Sequence, residues 1–112
     1  MKVNFVKPFK DYKGKDIEKD GKKQMINDLL AQCLFTGEGL ERTGNAEKDN
    51  KNKFDAYKLC QRVIAAKGAI EIGPNEAVII KKAASSLNAA GYAQIVELIG
   101  ENWYGISKSN NK

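Results

Sequence analysis

The sequence predicts a mainly α fold: a small bundle of about four helices behind a short N-terminal β-hairpin. Three observations predict it. Apolar residues recur at helical spacing in four separate stretches, glycine and proline fall between those stretches, and a weaker period-two pattern opens the chain. The 112 residues are 42% hydrophobic, enough for one core without disulfides or metals. We read residues 1–106 as one globular domain and residues 107–112 as a frayed basic tail.

The opening stretch, residues 2–17, alternates weakly through Val3, Phe5 and Lys7. Pro8 suits a strand end, because it offers no N–H to a ladder. Asp11-Tyr12-Lys13-Gly14 supplies turn residues, and Lys15-Asp16-Ile17 reads as the returning strand. Two strands alone are marginal in water, so the hairpin is expected to lean on the helices.

Met25, Ile26, Leu29, Leu30, Cys33 and Leu34 form one wide apolar stripe, which places a first helix over about 22–34. Asp20 is the expected cap, with Gly21 at the entry, and Gly37 the expected C-terminal stop. Residues 36–52 then read as a long polar connector with Leu40 as its one large apolar anchor. Phe54, Tyr57, Cys60 and Ile64 fall on one stripe, with Ala56, Val63 and Ala65 beside it, and predict a second helix over about 53–67. Residues 69–72 read as an extended connector or as a third strand against the hairpin.

Gly73-Pro74-Asn75-Glu76 is a helix start, with proline at the first helical position. The third helix is expected over about 74–87, with Lys81 and Lys82 facing out. Asn88-Ala89-Ala90-Gly91 reads as a break, and Tyr92, Ile95, Val96 and Ile99 mark a fourth helix ending near Gly100. The stretch 71–99 is therefore the most predictable part of the fold and the most purely structural one.

Composition narrows the function. Nineteen Lys and Arg against 14 Asp and Glu give a net charge of +5. Only Arg42 and Arg62 are arginines, whereas bidentate phosphate and base recognition favours arginine. With no histidine in the chain, histidine zinc sites and nucleophile–histidine arrangements are excluded. The glycines of the connector lack the Gly-Lys-Ser/Thr ending of a phosphate loop. Asp49, Asn50 and Asn52 miss the glycine and the bidentate glutamate of a calcium loop. Cys33 and Cys60 sit on apolar stripes and read as reduced core thiols. No catalytic residue, metal site or cofactor is expected, and the chain is read as a non-enzyme. No apolar run has the length of a membrane span and no signal segment opens the chain, so a cytoplasmic protein is expected.

Two binding readings remain. In the first, Trp103 and Tyr104 anchor a protein interface, because aromatics dominate binding hot spots. In the second, Lys10, Lys13, Lys15, Lys22, Lys23, Lys51, Lys53, Lys58 and Arg62 contact nucleic acid, because counterion release rewards clustered cations. Against the second stand the interleaved acids and the scarcity of arginine. A homodimer through the amphipathic hairpin or a β-edge stays open.

The arrangement of Phe5 and Phe9, Asp11-Tyr12-Lys13-Gly14-Lys15, Ala56-Tyr57-Lys58-Leu59, Glu71-Ile72, Ile79-Ile80-Lys81-Lys82 and Ala93-Gln94-Ile95-Val96-Glu97-Leu98 resembles small uncharacterised proteins of bacteriophage and prophage genomes. That resemblance implies a phage or mobile-element origin and transfers no site residues. The expectation is a protein–protein interaction module, an assembly accessory or an inhibitor of a host system, with nucleic-acid binding as the alternative. Its working surface is expected in the N-terminal arm, the 36–52 connector or the Trp103–Tyr104 tail.

Overall fold

The computed structural model describes residues 1–110, of which 101–110 by backbone alone. Four helices carry the fold: α1 (Ile26–Thr36), α2 (Ala46–Ala65), α3 (Pro74–Ala84) and α4 (Ala89–Asn110). The strands are β1 (Lys2–Asn4), β2 (Glu18–Lys19), β3 (Lys22–Lys23) and β4 (Ala69–Glu71). The mainly α class and the strand-bearing N-terminus are as the sequence predicts.

The core gathers one apolar stripe from each helix. Leu30 and Leu34 of α1, Leu59 and Val63 of α2, Ile80 of α3, and Ile95 and Ile99 of α4 are fully buried, together with Phe5 and Ile72. No polar or charged residue is buried among the described residues, so the interior rests on apolar burial, at about 1.5–3 kcal/mol for each large side chain. α1 and α2 pack most extensively and run antiparallel. Phe35 meets Tyr57, the Cys60 thiol reaches the Ala31 carbonyl at 3.2 Å, and Asp28 shares a groove with Ile64.

The N-terminal segment differs in detail from its expected hairpin. β1 pairs with β4 in antiparallel register, Val3 opposite Ile70, so residues 69–71 are a strand rather than a plain connector. Residues 8–25 then double back twice. Asp11 to Gly14 make the expected turn, closed by the Asp11 and Lys15 backbone and an isolated Lys10–Asp16 bridge. The second reversal is one the sequence reading assigns to a helix cap: Asp20 and Gly21 take φ of 54° and 79° between β2 and β3. Positive φ at both central residues is a type I′ turn, for which Asp-Gly is a preferred pair. Helix α1 therefore starts at Ile26, not near Lys22.

A glutamine holds this doubled segment to the bundle. The Gln94 side chain on α4 accepts the Lys10 N–H and donates to the Lys10 carbonyl, both at 2.9 Å. Phe9, one residue earlier, is buried. The Lys7 carbonyl accepts the Ile26 N–H at 2.8 Å, which satisfies an orphan donor at the start of α1.

Other boundaries move for local reasons. α2 begins at Ala46, seven residues before its expected start, because the Asn45 carboxamide accepts the Lys48 N–H at 3.1 Å. Half of the expected connector is thus helix, and only residues 37–45 link α1 to α2. α3 starts where expected, with Glu76 reaching back to the Gly73 N–H at 2.9 Å. It ends at Ala84 rather than Leu87, and Lys81 and Lys82 are half-buried rather than facing freely out. Asn88 caps α4 by accepting the Gly91 N–H at 2.9 Å, so Ala89-Ala90-Gly91 is a first helical turn and not a break. α4 runs on past Gly100 to Asn110.

The short α1–α2 link is pressed against α3. A Cβ at Gly39 would lie 2.1 Å from the Lys82 carbonyl oxygen, whereas one at Gly68 would meet open space. Gly39→Ala is expected to cost about 1–3 kcal/mol in urea unfolding, and Gly68→Ala to leave the midpoint nearly unchanged. Gln94→Ala removes a two-point clasp and is expected to cost about 1–3 kcal/mol. Amide exchange should then quicken at Lys10 and Ile17 before it does in the helices.

Candidate functional site

Helix α2 carries two apolar faces. Ala56, Leu59, Cys60 and Val63 form the buried one. Phe54, Tyr57 and Ile64, which the sequence reading assigns to the core stripe, form another with Gln61, in steps of three, four and three residues. At 100° per residue the two faces diverge by roughly a third of a turn, so only one can meet both α1 and α3. The face built on Leu59 does so. The other stays in solvent, with Phe54 59%, Tyr57 45% and Ile64 50% exposed.

Phe35 extends this face from α1. It is 68% exposed and its ring lies 6.4 Å from that of Tyr57, tilted by 47°. Gln61 donates to the Tyr57 hydroxyl at 3.2 Å. Between Phe35 and Ile64 lies an open depression of about 300 Å³, floored by Ala31 and Cys60 and edged by Asp28 and Gln32. Taking roughly 200 Å² for a whole aromatic side chain, the three rings leave on the order of 350 Å² of apolar surface in water. That matches the largest apolar patch of a typical monomer, which is often functional.

The cations singled out in the sequence are distributed over two regions. Lys10 and Lys23 both bond the Asp16 carboxylate, Lys23 at 3.0 Å, inside the doubled N-terminal segment. Lys13 rests over the Tyr12 ring at 5.7 Å, and that ring is almost wholly exposed. Lys15 and Lys22 are exposed on the same segment. On α2, Lys51 pairs with Asp55 at 2.8 Å, and Arg62 bridges the Glu76 carboxylate and the Glu71 carbonyl. Lys53 is exposed, and Lys58 lies 4.9 Å over the Phe54 ring. Four of the nine cations are thus engaged by acids within the fold. The side chains of Trp103 and Tyr104 lie outside the described residues; of the expected frayed tail, residues 107–110 continue the backbone of α4 and residues 111–112 lie outside the described residues.

Burial pushes the thiols of Cys33 and Cys60 up from their ordinary pKa, which keeps them protonated and unreactive. Hydrogen bonds from Lys10 and then Lys23 hold Asp16 below the usual carboxylate range. The Thr43 N–H and hydroxyl do the same for Asp49, and the chain's first amine does so for Glu71. Among the described residues no group of three or more Cys, Asp or Glu could hold a metal ion, and no helix is long and apolar enough to cross a membrane. The chain matches no known family, no curated protein and no solved structure.

Asp16 has a folded pKa below its ordinary value of 3.8. Its ion pairs therefore contribute above that value and are lost as pH falls through the depressed folded value. Backbone exchange in the doubled segment is expected to stay protected at pH 5 and to lose protection at a pH below 3.8. Asp16→Asn should remove that acid transition while leaving the helical amides unchanged.

Proposed function

We propose that the protein is a non-catalytic protein–protein interaction module. The resemblance implies a phage or mobile-element origin, with a role in assembly or in inhibiting a host system. One observation supports the reading above the others: three aromatic rings and Ile64 stand in solvent on a single face of α1 and α2, far more exposed than a closed core leaves such residues. Aromatic side chains bring large contact area with few rotors to freeze, which is what an interface anchor needs. This face joins Trp103 and Tyr104 as a candidate anchor.

The reading is tested by partner capture from phage-infected or host extract, comparing the wild type with Phe35→Ser/Tyr57→Ser. Each change is expected to cost about 1–3 kcal/mol, because a third to just over half of each ring is buried, so the double variant is first checked for its helical circular dichroism. Proteins retained by the wild type should be lost from the double variant. If the variant retains the same proteins at the same yield, this face is not the working surface.

A further inference from the structure

We propose that the α1–α2 face takes an acidic amphipathic helix of a partner protein, laid along the ridge from Phe54 to Ile64. This rests on the interaction reading above and adds the chemistry of the partner.

The shape of the face is linear. Phe54, Tyr57 and Ile64 follow one line on α2, about 15 Å long at 1.5 Å per residue. Three turns of a partner helix span that length. The depression between Phe35 and Ile64 runs beside the line, and its floor is made of the small residues Ala31 and Cys60. A groove with a small-residue floor and apolar walls admits a large apolar side chain of the incoming helix, the recognition mode in which anchors recur at helical spacing.

The charge at the margin selects the partner. Lys53 and Lys58 flank the Phe54 half of the ridge; neither makes a close ion pair among the described residues, and Lys53 interacts only at longer range with Asp49, whose carboxyl it helps Thr43 hold below the usual range. The Lys58 ammonium leans over the Phe54 ring, so its charge stands where an incoming carboxylate would meet it. At the Ile64 end Asp28 borders the depression and accepts from the Gln32 amide at 3.0 Å, a neutral donor that leaves its negative charge in place. The positive charge beside the ridge is therefore gathered at its Phe54 half, where the acidic flank of a partner helix would meet it.

The same charges disfavour a second copy of this chain. In an antiparallel pair the twofold axis would fall near Leu59, the midpoint of the ridge, and set the two Lys58 ammoniums against each other. A parallel pair would face Lys53 and Lys58 with their own mates.

The test is a display library of helical peptides with leucines fixed at i, i+3 and i+7 and the flanking positions randomised, selected on the full chain at low ionic strength. Asp and Glu should outnumber Lys and Arg at the flanks by about tenfold, as expected of two exposed ion pairs of up to 1 kcal/mol each. The preference should reverse on Lys53→Glu/Lys58→Glu and shrink in salt. Binding of the selected peptide should be lost on Phe35→Ser/Tyr57→Ser. A selection without charge preference, one favouring basic flanks, or no selection at all overturns the proposal. So does a dimer in sedimentation that Tyr57→Ser breaks, which would give the face to a second copy. If partner capture depends on Phe35 and Tyr57 while the library shows no acidic preference, the interaction reading stands and the acidic helix falls. If capture is indifferent to both residues, the interaction reading itself falls.

Discussion

The fold depends on how one short helix is shared. α1 has 11 residues, and α2, α3 and α4 all pack against it. Leu30 and Leu34 are fully buried, and Ile26, Ala31 and Cys33 nearly so, so most of its circumference is committed to neighbours. α2 and α3 are fixed relative to each other mainly through α1, because they meet each other less extensively than either meets α1, while α4 packs mainly on α3. Truncating Leu30 or Leu34 would loosen three interfaces together, beyond the transfer energy of one side chain. Phe35 follows directly on this buried run yet points into water. That contrast sets its exposure apart from the scattered apolar residues of any protein surface.

The helices were largely legible in the sequence because their core stripes repeat at 3.6-residue spacing. Leu30, Leu34, Ile80, Ile95 and Ile99 all lie on predicted stripes and are all buried. The start of α3 was legible because Gly73-Pro74 and Glu76 form a local signal that needs no distant partner. What the sequence concealed was decided elsewhere. Asp20-Gly21 is chemically suited both to a helix entry and to a tight hairpin, and the choice is made by Phe9 and Ile17, whose backbones pair with each other and with Gln24. The early start of α2 hides in a polar run, where Asn45 caps a first turn with no apolar stripe of its own.

The candidate site was hidden by a different cause. Phe54, Tyr57, Cys60 and Ile64 satisfy a helical stripe as well as Ala56, Leu59, Cys60 and Val63 do. Periodicity cannot say which of two overlapping stripes faces inward. A signal was present: Phe54 follows Lys53 directly, and Lys58 sits four residues on, where its ammonium can cover the ring. Lysine stems cover apolar surface while keeping the charge hydrated, so lysines bracketing an aromatic favour solvent for that face.

A helix with two apolar faces also has two ways to dock while the chain is folding. Rotated by roughly a third of a turn, α2 would bury Phe54, Tyr57 and Ile64 against α1 and turn Leu59 and Val63 outward. Such a state would gain comparable apolar burial, yet it would carry Arg62 away from Glu76 and Glu71 and the Cys60 thiol away from the Ala31 carbonyl. It would also drag Lys53 and Lys58 toward the interior, where unpaired cations are costly. The polar contacts around α2 add little to the depth of the native basin, but they set its rotational phase. Lys53 and Lys58 beside the exposed aromatics thus act as an error-correcting code for the folding chain, penalising a compact alternative that the apolar pattern alone cannot reject.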